Sequence, residues 1–360
     1  MGLSARWAML LGSLAVLATA QEATAQTPSI TVGGLGYLQY AYQMETDSSL
    51  KPSGGHQNNF DVTRAYINVL GKLPHGVSAR ITTDIAGRNG TFTQLYLRLK
   101  YAFVAWTPEN SPLTYKIGEI HTPWLDWEEA LWDYRMQGQM AMERAGYLSS
   151  SDFGAGIDGN FGYDKLNFQV GLYNGENYSG TPGDFRKDVM GRASFKILNT
   201  DLPGKVGGLR VSAYGQYGKP NTGGERYRAI GQLSYKSKMI TLAGEFGWTK
   251  DSVSGDSVGA ANVSAEKKGQ VLSFYGVLNI PNTKAAIIAR WDQTDPNTAN
   301  NSAGSTNDKI SRVIAGVSYQ LTPNLRLLAD ADVASREGGN YNNAFNATRS
   351  TFYFQTQVSF

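Results

Sequence analysis

The residues able to do chemistry in this chain are mainly its charged ones, because the usual catalytic and metal-ligating sets are thin. Its 360 residues include three histidines and no cysteine. Without thiols there is no disulfide framework, thiolate metal site or thiol nucleophile. His56, His75 and His121 fall in three separate connecting segments. That spacing suggests neither a paired-His metal site nor a Ser/His/Asp triad. A hydrolase would have His121 as its one base, with no serine or carboxylate evident beside it. Gly154-Ala-Gly156-Ile-Asp-Gly159 matches a dinucleotide fingerprint. It reads as the inside of a strand, however, whereas that chemistry needs it to open a helix. No metal or organic cofactor is implied.

What remains is a set of bases on two-faced segments and a group of acids in one long connection. Arg64, Arg80, Arg98, Lys100 and Lys116 share the polar phase of their segments, as do Arg192, Arg210, Arg228, Arg290, Arg312 and Arg326. Acids on that phase are fewer: Asp84, Asp158, Asp188, Glu245, Asp292, Asp330 and Asp332. The connection from His121 to Ser151 carries Asp126, Glu128, Glu129, Asp133 and Glu143 against Arg135 and Arg144. Trp124, Trp127, Leu131, Trp132 and Tyr134 give it apolar bulk able to pin it against an inner wall. A basic wall facing an acidic loop would create a transverse field that orients dipolar solutes and filters ions. The net charge of +3, with no Lys/Arg run, gives no reason to expect a nucleic-acid partner.

Positioning these groups requires strands. From Ile30 onward, two-faced segments of about ten residues alternate with polar connections, the length and rhythm of membrane-spanning strands. Sixteen segments begin near Ile30, Phe60, Val77, Gln94, Leu113, Phe153, Leu166, Asp188, Leu209, Arg226, Ile240, Gly269, Ala285, Lys309, Leu325 and Ser350. Short turns such as Leu73-Pro-His-Gly76 and Tyr163-Asp-Lys165 alternate with longer loops such as 46–59 and 251–268. The expected fold is therefore all-β, a transmembrane antiparallel up-and-down barrel of about sixteen strands. A barrel this wide leaves an aqueous channel, unlike an eight-stranded one. Bases at mid-membrane demand a wet interior, which fixes their phase as the lumen. Folding the third and fourth strands about 87–93 places Arg80 nearly opposite Arg98, with Arg64 on the next strand. Leu95, Leu97, Leu99, Tyr101 and Phe103 are read as one outward face, and Asp61 and Glu119 as two acids on the outward phase.

Both ends fit export. Arg6, an apolar stretch from Trp7 to Leu17, and the small-x-small sites at Ala18–Ala20 and Ala23–Ala25 read as a cleaved leader. Residues 1–25 are thus expected to be removed, leaving 26–360 as one barrel domain in the outer membrane. The chain ends with Phe352, Phe354, Thr356, Val358 and Phe360 on one phase. A terminal aromatic residue is similar to the signal read by the outer-membrane assembly machinery.

Phe60-Asp-Val-Thr63-Arg64-Ala65-Tyr66 running to Gly71-Lys72, then Gly118-Glu-Ile-His121-Thr122-Pro123, and Gly171-Leu-Tyr-Asn174-Gly175 resemble the phosphate-selective porin O and P family. The resemblance implies a sixteen-stranded, usually trimeric channel whose third loop folds inward. Two departures stand out: family members often carry paired arginines where Thr63-Arg64 stand, and often a lysine at the position of His121. The loop here is also acidic overall. The expectation is a porin for small polar solutes, mildly anion-preferring, with selectivity for phosphate or another oxyanion as the sharper alternative.

Overall fold

The computed structural model describes residues 27–45, 58–87, 94–180, 185–219, 224–252, 266–298, 309–336 and 349–360. The expected leader and most of the long loops lie outside these. The strands are β1 (Ser29–Glu45), β2 (Asn58–Lys72), β3 (Val77–Gly87), β4 (Leu95–Trp106), β5 (Leu113–His121), β6 (Ser151–Phe161), β7 (Leu166–Tyr173) and β8 (Asp188–Leu198). They continue as β9 (Gly208–Gly218), β10 (Arg226–Lys236), β11 (Ile240–Ser252), β12 (Glu266–Asn279), β13 (Ala285–Asp295), β14 (Ile310–Thr322), β15 (Leu325–Arg336) and β16 (Arg349–Ser359). Each pairs with its sequence neighbours and β1 pairs with β16, closing the barrel. All sixteen begin within three residues of the expected positions. Closure leaves no edge strand, so the backbone N–H and C=O groups are satisfied within the sheet.

Alternation sets the two faces. On β10, Arg228, Ile230, Gln232, Ser234 and Lys236 are buried inside, while Leu233 and Tyr235 are exposed outside. On β16, Phe352 and Phe354 face outward, as the period-two reading expects.

Register shifts break the rhythm at five places among the described residues, and two of them correct the sequence reading. On β4, Tyr101 pairs with Thr82 and Leu99 with Thr83, so Lys100 is an extra residue without a partner on β3. An extra residue reverses the facing of everything beyond it. Leu95, Leu97 and Leu99 stay outside, Tyr101 turns inside and is buried, and Val104 and Trp106 become the outward residues. The five-residue face expected from Leu95 to Phe103 is therefore two faces. The register also differs from the expected one: Arg98 lies opposite Asp84, and Arg80 lies opposite Phe103. On β2, Tyr37 pairs with Arg64 and Leu38 with Val62, which makes Thr63 the extra residue. Asp61, paired with Gln39, is thereby carried to the lumen phase instead of the outward one. Glu119 does stay on the outward phase opposite Ala102, but it is buried.

After β5 the chain turns into the barrel. Pro123 starts α1 (Pro123–Leu131), suited by its fixed φ to the first helical position. A 3-10 turn (Arg135–Gln137) and α2 (Ala141–Arg144) follow. Trp124, Trp127, Glu128 and Leu131 recur at helical spacing and are wholly buried against the wall. Trp124 packs on Tyr214, and Trp132 on Tyr275 at 5.2 Å between ring centres. Trp127 donates its indole N–H to Gln232 at 2.9 Å. A buried tryptophan hides about 150–250 Å², worth roughly 4–6 kcal/mol at ~25 cal/mol/Å² before the cost of ordering the loop. Gly247 on β11 leaves the room that Met142 fills, since a Cβ there would stand 2.7 Å from its sulfur.

Candidate functional site: an arginine-lined vestibule over the inward loop

The inward loop leans mainly on β8 to β16. Gln232, Tyr275, Ser318 and Gln355 each meet it from a different strand. On the side of the long connections, a cavity of about 660 Å³ lies between the loop and strands β1–β4 and β14–β16. Arg64, Arg98, Arg135, Arg144 and Arg312 line it, and among the described residues Asp332 is the one carboxylate in its lining.

The acids that balance these arginines sit mostly behind them. Arg64 donates to Asp84 at 2.5 Å, and Arg98 lies 3.7 Å from the same oxygen. Arg135 bridges Glu129 at 3.0 Å and Glu143 at 2.6 Å. Arg144 reaches Asp292 at 3.2 Å, and Arg312 meets Asp332 at 2.5 Å. Arg64, Arg98, Arg144 and Arg312 keep 15–26% of their side-chain surface in water, whereas Asp84, Asp292 and Asp332 keep 0–8%. The cations therefore face the solute path while the anions lie in the wall, a layered arrangement that makes the cavity's surface positive. The planar guanidinium fork matches oxyanion geometry.

Deeper in the lumen, Arg80 bonds to Thr82 at 2.9 Å, Asn68 at 3.0 Å and Nε2 of His121 at 3.1 Å. An arginine only donates, so Nε2 accepts and the His121 ring is neutral with its proton on Nδ1. Arg80 also lies over Tyr101, whose ring stacks on His121 at 4.0 Å between centres. Among the described residues, the groups it bonds are all neutral. Lys100 likewise bonds a neutral group, Tyr66 Oη at 2.8 Å, and is buried. Lys116 pairs with Asp158.

The loop acids do not form one face opposite these bases. Asp126 pairs with Lys205, and Asp133 with Lys236 at 2.8 Å. Burial pushes the Asp126 carboxyl up, but the Lys205 ammonium outweighs that and holds it below the usual carboxylate range. Burial also raises Glu129, while Arg135 and Lys100 bring it below its ordinary value. Glu128 is turned away from the open lumen and is wholly buried. Of the residues read as a site, the structure gathers Arg64, Arg98 and Arg135 at the vestibule and Arg80 with His121 below it. Arg144 and Arg312, noted in the sequence among the charged residues, join the vestibule without having been singled out. Their signal was an arginine in the loop and another at the start of a lumen-facing strand.

A family description for phosphate-selective porin O and P matches residues 16–246. No curated protein matches the sequence. Among solved structures, the chain is similar to the anion-selective porin from Comamonas acidovorans (TM-score 0.67, 10% identity, 92% of this chain and 100% of that one). It is also similar to the outer-membrane channel DcaP of Acinetobacter baumannii (TM-score 0.62, 12% identity, 92% and 97%). The trimer form of OmpT, an outer-membrane protein of Vibrio cholerae, gives a TM-score of 0.61 at 12% identity over 93% and 100%. At such identities the likeness is one of fold.

Proposed function

The chain belongs to the phosphate-selective porin O and P family, and on that premise we propose that it is an outer-membrane porin for small hydrophilic solutes that prefers anions. The observation that carries the preference is the vestibule, where the guanidinium groups of Arg64, Arg98, Arg144 and Arg312 stand toward water and their carboxylates behind. Phosphate or another oxyanion is the sharper reading, favoured by arginines rather than lysines at that surface. Residues 1–25 act as a cleaved leader, and 26–360 form the mature barrel. Phe360 serves recognition by the assembly machinery, and the working state is a homotrimer in outer-membrane lipid, a reading supported by the trimer form of the Vibrio cholerae protein. The loop and wall serve passage rather than catalysis.

Planar-bilayer recording tests this. A nanosiemens-scale step with an anion-directed reversal potential in a chloride gradient supports it, and phosphate competing with chloride current supports the oxyanion reading. Clear cation selectivity ends the anion reading, and the absence of any step favours a plugged structural barrel.

A further inference from the structure

Glu128 is the one charged residue on the buried stripe of α1, among Trp124, Trp127 and Leu131. It has no exposed surface, and no N–H or O–H of the described residues donates to either of its carboxyl oxygens. What lies beside it is the carboxyl of Glu245 on β11, itself 2% exposed. Trp127, next to Glu128 on α1, donates to Gln232 at 2.9 Å, and Gln232 stands opposite Glu245 across the strands with its amide 3.4 Å from that carboxyl. Two carboxyl groups in contact in a dry site cannot both be ionised, and they hydrogen-bond only when one keeps a proton. We propose that Glu128 and Glu245 share a proton as a latch that holds the constriction loop against the barrel wall, and that losing this proton releases the loop and changes the pore.

The surroundings favour this over a plain ion pair. Arg290 on β13 is the nearby cation, but it is committed to Asp292 at 2.7 Å and to the carbonyl of Gln139 at 3.0 Å. Gln232 on β10 offers Glu245 only a long contact of 3.4 Å and gives the same amide to Tyr275 on β12. The other charged groups on elements packed against α1 are engaged elsewhere. Arg192 on β8 lies over Trp127, Lys205 pairs with Asp126, and Lys236 on β10 caps the helix end at the carbonyls of Ala130 and Leu131. Asp292 adds negative charge, so a second ionisation at the pair meets repulsion from both sides. Burial and the Glu245 carboxyl both push Glu128 well above the usual carboxylate range, with Arg290 opposing.

The docked loop binds a proton that a free loop would lose, so docking weakens as pH rises. Between the ordinary carboxylate range and the titration of the pair, the docking equilibrium falls about tenfold per pH unit. Below that window the latch is fully made.

The pore consequence rests on the reading of the lumen as a conducting path, so the test has one arm that needs no current. Infrared difference spectra between neutral and alkaline pH should show a protonated carboxyl band lost on alkalinisation in the wild type and missing from Glu128→Gln. Identical acid bands in the two proteins would overturn the shared proton. In planar bilayers, closures of the wild-type channel should become several-fold more frequent from neutral to alkaline pH, and Glu128→Gln should flatten that profile. The chain has no cysteine, so Glu128→Cys with Glu245→Cys can be oxidised into a cross-link that should flatten it too. A wild-type profile already flat, or one that persists in both variants, removes the latch. Failure to conduct at any pH would instead strike the channel reading, leaving the infrared arm to decide the proton.

Discussion

Arg64 donates to Asp84 across 2.5 Å, with the carboxylate wholly buried and the guanidinium still partly in water. Arg98 stands 3.7 Å from the same oxygen, so one acid in the wall holds two bases at the vestibule. Asp84→Asn should therefore raise anion preference. An uncompensated unit charge about 10 Å from a passing ion in water-like dielectric contributes on the order of 0.4 kcal/mol, roughly a twofold change in the permeability ratio. Reversal potentials in a chloride gradient measure it, and an unchanged or cation-directed shift would count against the layered-charge account. The variant should also unfold at lower denaturant, because two neighbouring cations lose their shared partner.

Arg80 gives the opposite prediction. Its partners Thr82, Asn68 and His121 are neutral, so among the described residues it enters the lumen field without a paired acid. Arg80→Ala should lower anion preference by a similar factor of about two, read on the same apparatus. Unchanged selectivity would place Arg80 off the solute path and make its role the orientation of the His121 ring.

The extra residue on β4 sets a folding prediction. Lys100 reverses the strand, leaving Leu95, Leu97 and Leu99 outside while Tyr101 turns in to meet His121. Deleting Lys100 would restore simple alternation and drive one half of the strand to the wrong face. Three leucines misplaced into water cost roughly 1.5–3 kcal/mol apiece. The deletion should abolish the heat-modifiable folded band on a denaturing gel, whereas Lys100→Met should keep it. A folded deletion variant would show that the strand tolerates slippage there.

These cases mark where the sequence was legible. Strand number, the outward face of β16 and the lumenal phase of Arg64 and Arg312 follow from a two-residue rhythm that every strand repeats. Rhythm carries no information about which residue is skipped, so the bulges at Thr63 and Lys100 and the pairing of Arg98 with Asp84 escaped it. A trace was present on β4, where Val104 and Trp106 fall out of step with Leu95 to Leu99. Glu128 is similar. Counted as one acid among five in the loop, it looks lumenal, but its place on the helical stripe of Trp124, Trp127 and Leu131 puts it in the wall.

The closing seam offers a last test. Gly34 and Phe360 exchange backbone hydrogen bonds of 2.8 and 3.1 Å, and the Phe360 ring lies over the glycine. A Cβ on Gly34 would stand 2.3 Å from that ring. A side chain in a strand ordinarily gains about 0.5–1 kcal/mol over glycine, but here it must displace the ring that covers the seam. Gly34→Val should thus destabilise the wild type yet be neutral or stabilising beside Phe360→Ala, where the space is free. Urea unfolding from lipid vesicles followed by tryptophan fluorescence gives the double-mutant cycle, with an expected coupling of about 0.5–2 kcal/mol. Strict additivity would mean that the ring does not pack on Gly34, and that the seam is held by the β1–β16 ladder alone.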